Sequence, residues 1–126
     1  MKRIMKICEL TGSALDYAVD RAVNGAKYSE QLSVIRASGD GFRPSSSWRV
    51  CGPLLERYRI DLITDPESDT WWADKADGTE IGYLHGSGSS PLVAICRALA
   101  SISGDEIAIP EEILQKSGCM EVPCTR

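Results

Sequence analysis

The chain has 126 residues, 43% of them apolar and 25% charged, and a formal net charge of −4. That length suits one domain with room for a real core, and the composition is that of an ordinary globular protein. The acidic balance argues against general nucleic-acid binding, and no apolar run approaches the ~20 residues that span a bilayer, so no membrane role is expected.

In chain order, residues 3–7 predict a short strand with Ile4 and Ile7 as its apolar positions. The same start, Met1-Lys2-Arg3-Ile4-Met5-Lys6-Ile7, is basic but leads into no apolar h-region, so no signal peptide is expected. Thr11 can cap a helix in which Ala14, Leu15, Ala18, Val19, Ala22 and Val23 recur at helical spacing, and Asn24-Gly25 ends it. Gln31–Arg36 predicts a strand, followed by a turn at 38–41 and a loop over Gly41–Ser47. Pro53 is expected to start a short helix carrying Leu54, Leu55 and Tyr58. Arg59–Thr64 alternates as a strand. Thr70–Ala76 then pairs by pattern with Glu80–His85 across Asp77-Gly78, a strong hairpin turn.

Ser90 as N-cap and Pro91 as first helical residue open a helix that buries Leu92, Ile95, Cys96 and Leu99. A short extended piece, 106–109, leads to a last helical turn from Pro110, running Glu111 to Lys116. These elements predict a single α+β domain over residues 1–116, with a small antiparallel sheet and two main α-helices packed on it, and a flexible tail over 117–126.

The cysteines, Cys8, Cys51, Cys96, Cys119 and Cys124, are odd in number and scattered. Cys51 and Cys96 sit in apolar contexts and read as reduced core residues. Cys119 and Cys124 are spaced more widely than zinc pairs favour, and His85 is the one histidine, so neither a metal nor a cofactor is expected.

Two segments could bind a ligand. In Gly86-Ser87-Gly88-Ser89-Ser90 a Gly/Ser loop runs into a helix start, whose free N–H groups and positive dipole end can seat an anion. It lacks the lysine of a phosphate loop and does not match the dinucleotide fingerprint. Arg97 lies about two turns down that helix and is expected to salt-bridge rather than touch the anion. The second segment is Phe42–Arg49, where Arg43, Ser45, Ser46, Ser47, Trp48 and Arg49 could hold a phosphate and stack a base, or form a protein-binding hot spot. Trp48 is expected to be half core, beneath Pro53 and Leu54. Trp71 and Trp72 should face opposite sides of their strand, one buried and one partly exposed to line a pocket or an oligomer interface.

No catalytic kit emerges. His85 is followed by serines but by no nucleophile elbow, and Asp61, Asp65, Glu67 and Asp69 read as a solvated acidic turn.

Several segments line up in order with a known family: Cys8–Val19, Phe42–Trp48, Gly52–Glu56, Ile60–Leu62, Pro91–Ala98 and Gly104-Asp105-Glu106 to Pro110. The chain resembles the NinX-like family of small proteins from tailed bacteriophages and prophages, from about residue 7 to 114. The resemblance implies a phage accessory protein working in the host cytoplasm, and it supplies no catalytic residues. The tail after Lys116, with its cysteines, departs from the family pattern. Taken together, the sequence predicts non-catalytic binding of a small anionic or nucleotide ligand that counters a host defence or regulatory pathway. The alternative is a module that binds a host or phage protein, and a hydrolase using His85 is a third reading. A homo-oligomer is expected.

Overall fold

The computed structural model describes residues 2–39, 41–75 and 85–117. Strand β1 (Lys2–Lys6) passes through a 3-10 turn (Ile7–Glu9) into helices α1 (Gly12–Asn24), α2 (Glu30–Ser38) and α3 (Trp48–Arg57). Strands β2 (Ile60–Asp65), β3 (Thr70–Lys75) and β4 (His85–Gly88) follow. Helix α4 (Pro91–Ala100), a second 3-10 turn (Ser101–Ser103), strand β5 (Glu106–Pro110) and helix α5 (Glu111–Ser117) complete the described chain.

The class is α+β, as expected, but the layout differs from one sheet under two helices. The strands form two antiparallel sheets: β1 with β5, from Lys2↔Pro110 to Lys6↔Glu106, and β2-β3-β4. In the second sheet Asp65↔Thr70 closes the β2–β3 hairpin and Trp71↔Gly88 opens the β3–β4 ladder. The predicted Asp77-Gly78 turn and most of the Glu80–His85 strand lie outside the described residues, as do 118–126 and thus Cys119 and Cys124.

Helix α4 sits at the centre. Ala94, Ile95, Cys96, Ala98, Leu99 and Ala100 are all buried, so it is apolar nearly all round, as an interior helix must be. It packs on α1, whose Ala14, Leu15, Tyr17, Ala18 and Val19 are buried, and on β3 and β4. Its start is as predicted: Ser90 Oγ accepts the Val93 N–H at 3.2 Å and Pro91 needs no partner.

Two local expectations are overturned. Gln31–Arg36 is helical, within α2, because Ser29 caps it by accepting the Leu32 N–H at 3.2 Å. The residues that face inward are Ser33 and Ala37, four apart, with Val34 partly buried against the core beside them, while Leu32 and Ile35 point to solvent. The apolar letters of this segment therefore misled, because two of the three, Leu32 and Ile35, lie on its outer face. Helix α3 begins at Trp48 rather than Pro53, which falls inside it. The helix tolerates an interior proline on its exposed side, where the residue gives up one N–H without burying an orphan carbonyl deep in the core.

Candidate functional site

Of the segment read as a Gly/Ser loop, Gly86–Gly88 belong to strand β4 and only Ser89 and Ser90 form the bend into α4, and its glycines have a packing reason. From the cap at Ser90 the strand runs back along α4. Ser87 lies three residues before the cap and Arg97 seven after it. At about 3.3 Å per strand residue and about 1.5 Å per helical residue, both cover about 10 Å, so the two fall side by side. The same arithmetic sets Gly86 beside Ala98. A Cβ on Gly86 would stand 2.3 Å from the Ala98 nitrogen and 2.5 Å from the Ala94 oxygen, and one on Gly88 would stand 2.8 Å from a Val93 methyl. Only glycine lets strand and helix backbones approach this closely.

That pairing builds one side of a cleft. Arg97 donates from Nε and Nη2 to the Leu10 carbonyl, at 3.2 and 3.0 Å, and from Nη1 to the Ser87 carbonyl at 3.0 Å. The guanidinium thus ties the end of the first 3-10 turn to β4. The cavity it lines has a volume of about 800 Å³. Trp72, Gly86 and Ser87 line one wall. The other wall is the end of the β1–β5 ladder, with Lys6, Asp105 and Glu106. The Ile7 N–H donates to the Asp105 carbonyl at 2.8 Å, which extends the ladder past its last strand pair and fixes where Asp105 stands.

Of the residues singled out from sequence, Trp72, Gly86 and Ser87 meet at this cleft. Gly88, Ser89 and Ser90 do not line it, and the Ser90 hydroxyl is occupied as the helix cap. Trp71 and Trp72 do face opposite ways, but both are half-buried: Trp71 packs against the core and Trp72 faces the cleft. None of Arg43, Ser45, Ser46, Ser47, Trp48 and Arg49 lines the cavity.

The 42–49 segment has its own geometry. Phe42 is buried, and its ring lies 4.9 Å from the Arg36 guanidinium carbon, so it is not a platform for a base. The Ser46 N–H bonds the Arg43 carbonyl at 3.2 Å, closing a turn with Pro44 at its second position. Asp16 on α1 anchors that turn, its Oδ1 accepting the Ser45 N–H at 2.8 Å. Among the described residues Asp16 Oδ2 finds no hydrogen-bond partner. Burial pushes the Asp16 carboxyl above its ordinary range, against the pull of the Ser45 bonds and the Arg43 charge. Trp48, expected to be half core, is 51% exposed on the first turn of α3, with Arg49 exposed beside it in sequence.

The remaining candidates carry little chemistry. Cys51 and Cys96 are free and buried against each other; the hydrogen bond between them pulls the Cys51 thiol down and, with burial, pushes the Cys96 thiol up, and both are fully buried, which keeps reagents from either. Asp65 is spent on its own turn, accepting from the Glu67 N–H at 3.1 Å and the Ser68 hydroxyl at 2.9 Å. Among the described residues no three His, Cys, Asp or Glu side chains gather as a metal site would require. His85 opens β4 opposite Asp74.

Sequence reasoning missed Lys6, Asp105 and Glu106, and it set Arg97 aside. Arg97 was recoverable: the matched lengths of strand and helix bring it level with Ser87. The other three depend on β1 pairing with β5 across almost the whole chain, which no local pattern announces.

A family model described as Bacteriophage P22, NinX matches residues 6–101. The chain belongs to the NinX family. No curated protein matches it. The part shared with the NinX model holds Trp72, Gly86, Ser87 and Arg97, whereas Asp105 and Glu106 lie just beyond it. Among the described residues of this NinX-family chain, no helix is long and apolar enough to cross a membrane.

Proposed function

We propose that this phage protein works by binding rather than catalysis. It holds a small anionic ligand, best a nucleotide, in the cleft between its two sheets, and so withdraws that ligand from a host defence or regulatory pathway in the host cytoplasm. The observation that carries this reading is the cleft itself. Its volume of about 800 Å³ lies in the range of small-ligand sites, and it joins an indole, Trp72, to two cations, Arg97 and Lys6. An aromatic face can stack a planar ring, and a guanidinium held in place by carbonyls can meet an anion with little loss of side-chain entropy. This reading moves the anion seat from the start of α4 to Arg97, ten residues from Ser87 along the chain and bonded to its carbonyl.

The test is a melting screen of the full chain against common and cyclic nucleotides, with mass spectrometry of small molecules released on denaturation. A ligand at about a hundred times its Kd adds about 2.7 kcal/mol of stability. A rise in melting temperature that Trp72→Leu abolishes supports the reading. A silent panel together with no released ligand overturns it.

A second reading, binding of a host or phage protein, draws on Trp48. A half-exposed tryptophan beside Arg49 has the composition of an interface hot spot. It is distinguished by its variant: Trp48→Ala would abolish the interaction while Trp72→Leu leaves it intact.

A further inference from the structure

The cleft carries charges of both signs, which narrows the ligand beyond "anionic". This step rests on the cleft being a ligand site. Lys6 and Arg97 supply the positive charge, and Asp105 and Glu106 the negative. Glu106 stands directly across the β1–β5 ladder from Lys6, so these two opposite charges are neighbours on one wall. Asp105 lies one residue outside the ladder, and its backbone is fixed by the bond from Ile7. A simple anion such as phosphate gains nothing from two carboxylates. The wall suits a ligand that is negative at one end and presents hydrogen-bond donors at the other.

Among nucleobases, guanine offers two adjacent donors, N1–H and the 2-amino group, on one edge, and a carboxylate offers two adjacent acceptors. Adenine presents a single amino group beside a ring acceptor, which a carboxylate would repel. We propose that the cleft takes a guanine mononucleotide. Its base lies on the Trp72 indole with the donor edge toward the Asp105 carboxylate, and its phosphate meets Arg97 and Lys6. The chain's net charge of −4 favours a free mononucleotide over a polynucleotide.

Isothermal titration of the full-length protein with 5′-GMP, 5′-IMP and 5′-AMP tests this, with inorganic pyrophosphate as the baseless probe. Hydrogen bonds to a charged partner justify an expected preference of at least about tenfold for GMP over AMP. IMP, which lacks the 2-amino group, should fall between them. Asp105→Asn should bring GMP down to the AMP level and leave AMP binding unchanged. Equal binding of all three nucleotides, or a GMP preference that survives Asp105→Asn, whatever Glu106→Gln does, overturns the guanine assignment while the cleft remains a ligand site. No binding by any of the four probes overturns both. Circular dichroism of each variant confirms that it is folded, since both carboxylates are exposed and their substitution removes no core contact.

Discussion

The guanidinium of Arg36 donates from Nε to Oδ2 of the fully buried Asp20 at 2.8 Å, and lies between two rings, 4.5 Å from the centre of Tyr28 and 4.9 Å from that of Phe42. The other Asp20 oxygen accepts from Asn24 Nδ2 at 2.7 Å. This arrangement joins α1, α2 and the 42–47 turn through a single side chain. A buried carboxylate is tolerated only when its partners are in place.

Arg36→Met should therefore destabilise the fold by about 3–5 kcal/mol, because it strands the Asp20 charge. The double variant Arg36→Met with Asp20→Leu should recover much of that loss, since a buried pair exchanged for apolar groups of similar size is often near neutral. Urea denaturation of the single and double variants checks both expectations.

Gly86 and Gly52 make a matched pair. At Gly86 a Cβ would collide with α4 backbone, so Gly86→Ala should cost about 1–3 kcal/mol or more. At Gly52, inside α3, a Cβ meets nothing within 4 Å, and Gly52→Ala should stabilise by about 0.5–1 kcal/mol. Melting temperatures moving in opposite directions are the expected result, and a shift of the same sign at both sites would contradict the packing account.

Asp16 gives a pH dependence. Its carboxyl is raised in the folded protein from the ordinary 3.8, chiefly by burial. For a raised carboxyl the folded state prefers the protonated form. The stability linked to that proton is fully present below 3.8 and is lost as pH rises through the folded pKa. Asp16→Asn keeps an acceptor for the Ser45 N–H but cannot ionise. The stability of the native chain relative to this variant should fall as pH increases above 3.8, as read from denaturation midpoints at a series of pH values. A difference that stays flat with pH would refute the buried-charge account.

Arg97 holds two distant carbonyls with three N–H donors. Arg97→Met should cost at least about 1.5–3 kcal/mol, the range for a hydrogen bond to a charged group. Arg97→Lys should rescue little of it, because an ammonium cannot span both carbonyls as a planar fork does. Hydrogen exchange around Leu10 and Ser87 is expected to quicken in both variants.

How much was legible in the sequence depends on how local the cause was. The cap at Ser90, the proline after it and the apolar stripe of α4 act within a turn or two of each other, and they read correctly. So did α1 and the β2 and β3 strands. Gln31–Arg36 failed because two of its apolar residues, Leu32 and Ile35, are on the outside: Ile35 is 61% exposed, and the inward side is made by Ser33 and Ala37 with the partly buried Val34. Gly86 reads in the sequence as part of a loop, when its role is close approach to Ala98. The cleft was half legible, through Trp72, Gly86 and Ser87. Its other half comes from pairing the two ends of the described chain, which period and composition do not encode.

That end-to-end pairing also sets an order of events during synthesis. Strand β1 leaves the ribosome before every other described element, yet its partner β5 arrives only after α1 to α4 and β2 to β4 have been made. Until then its hydrogen-bonding edge, with Ile4 beside it, waits without a neighbour, and the Leu10 carbonyl has no Arg97 to receive.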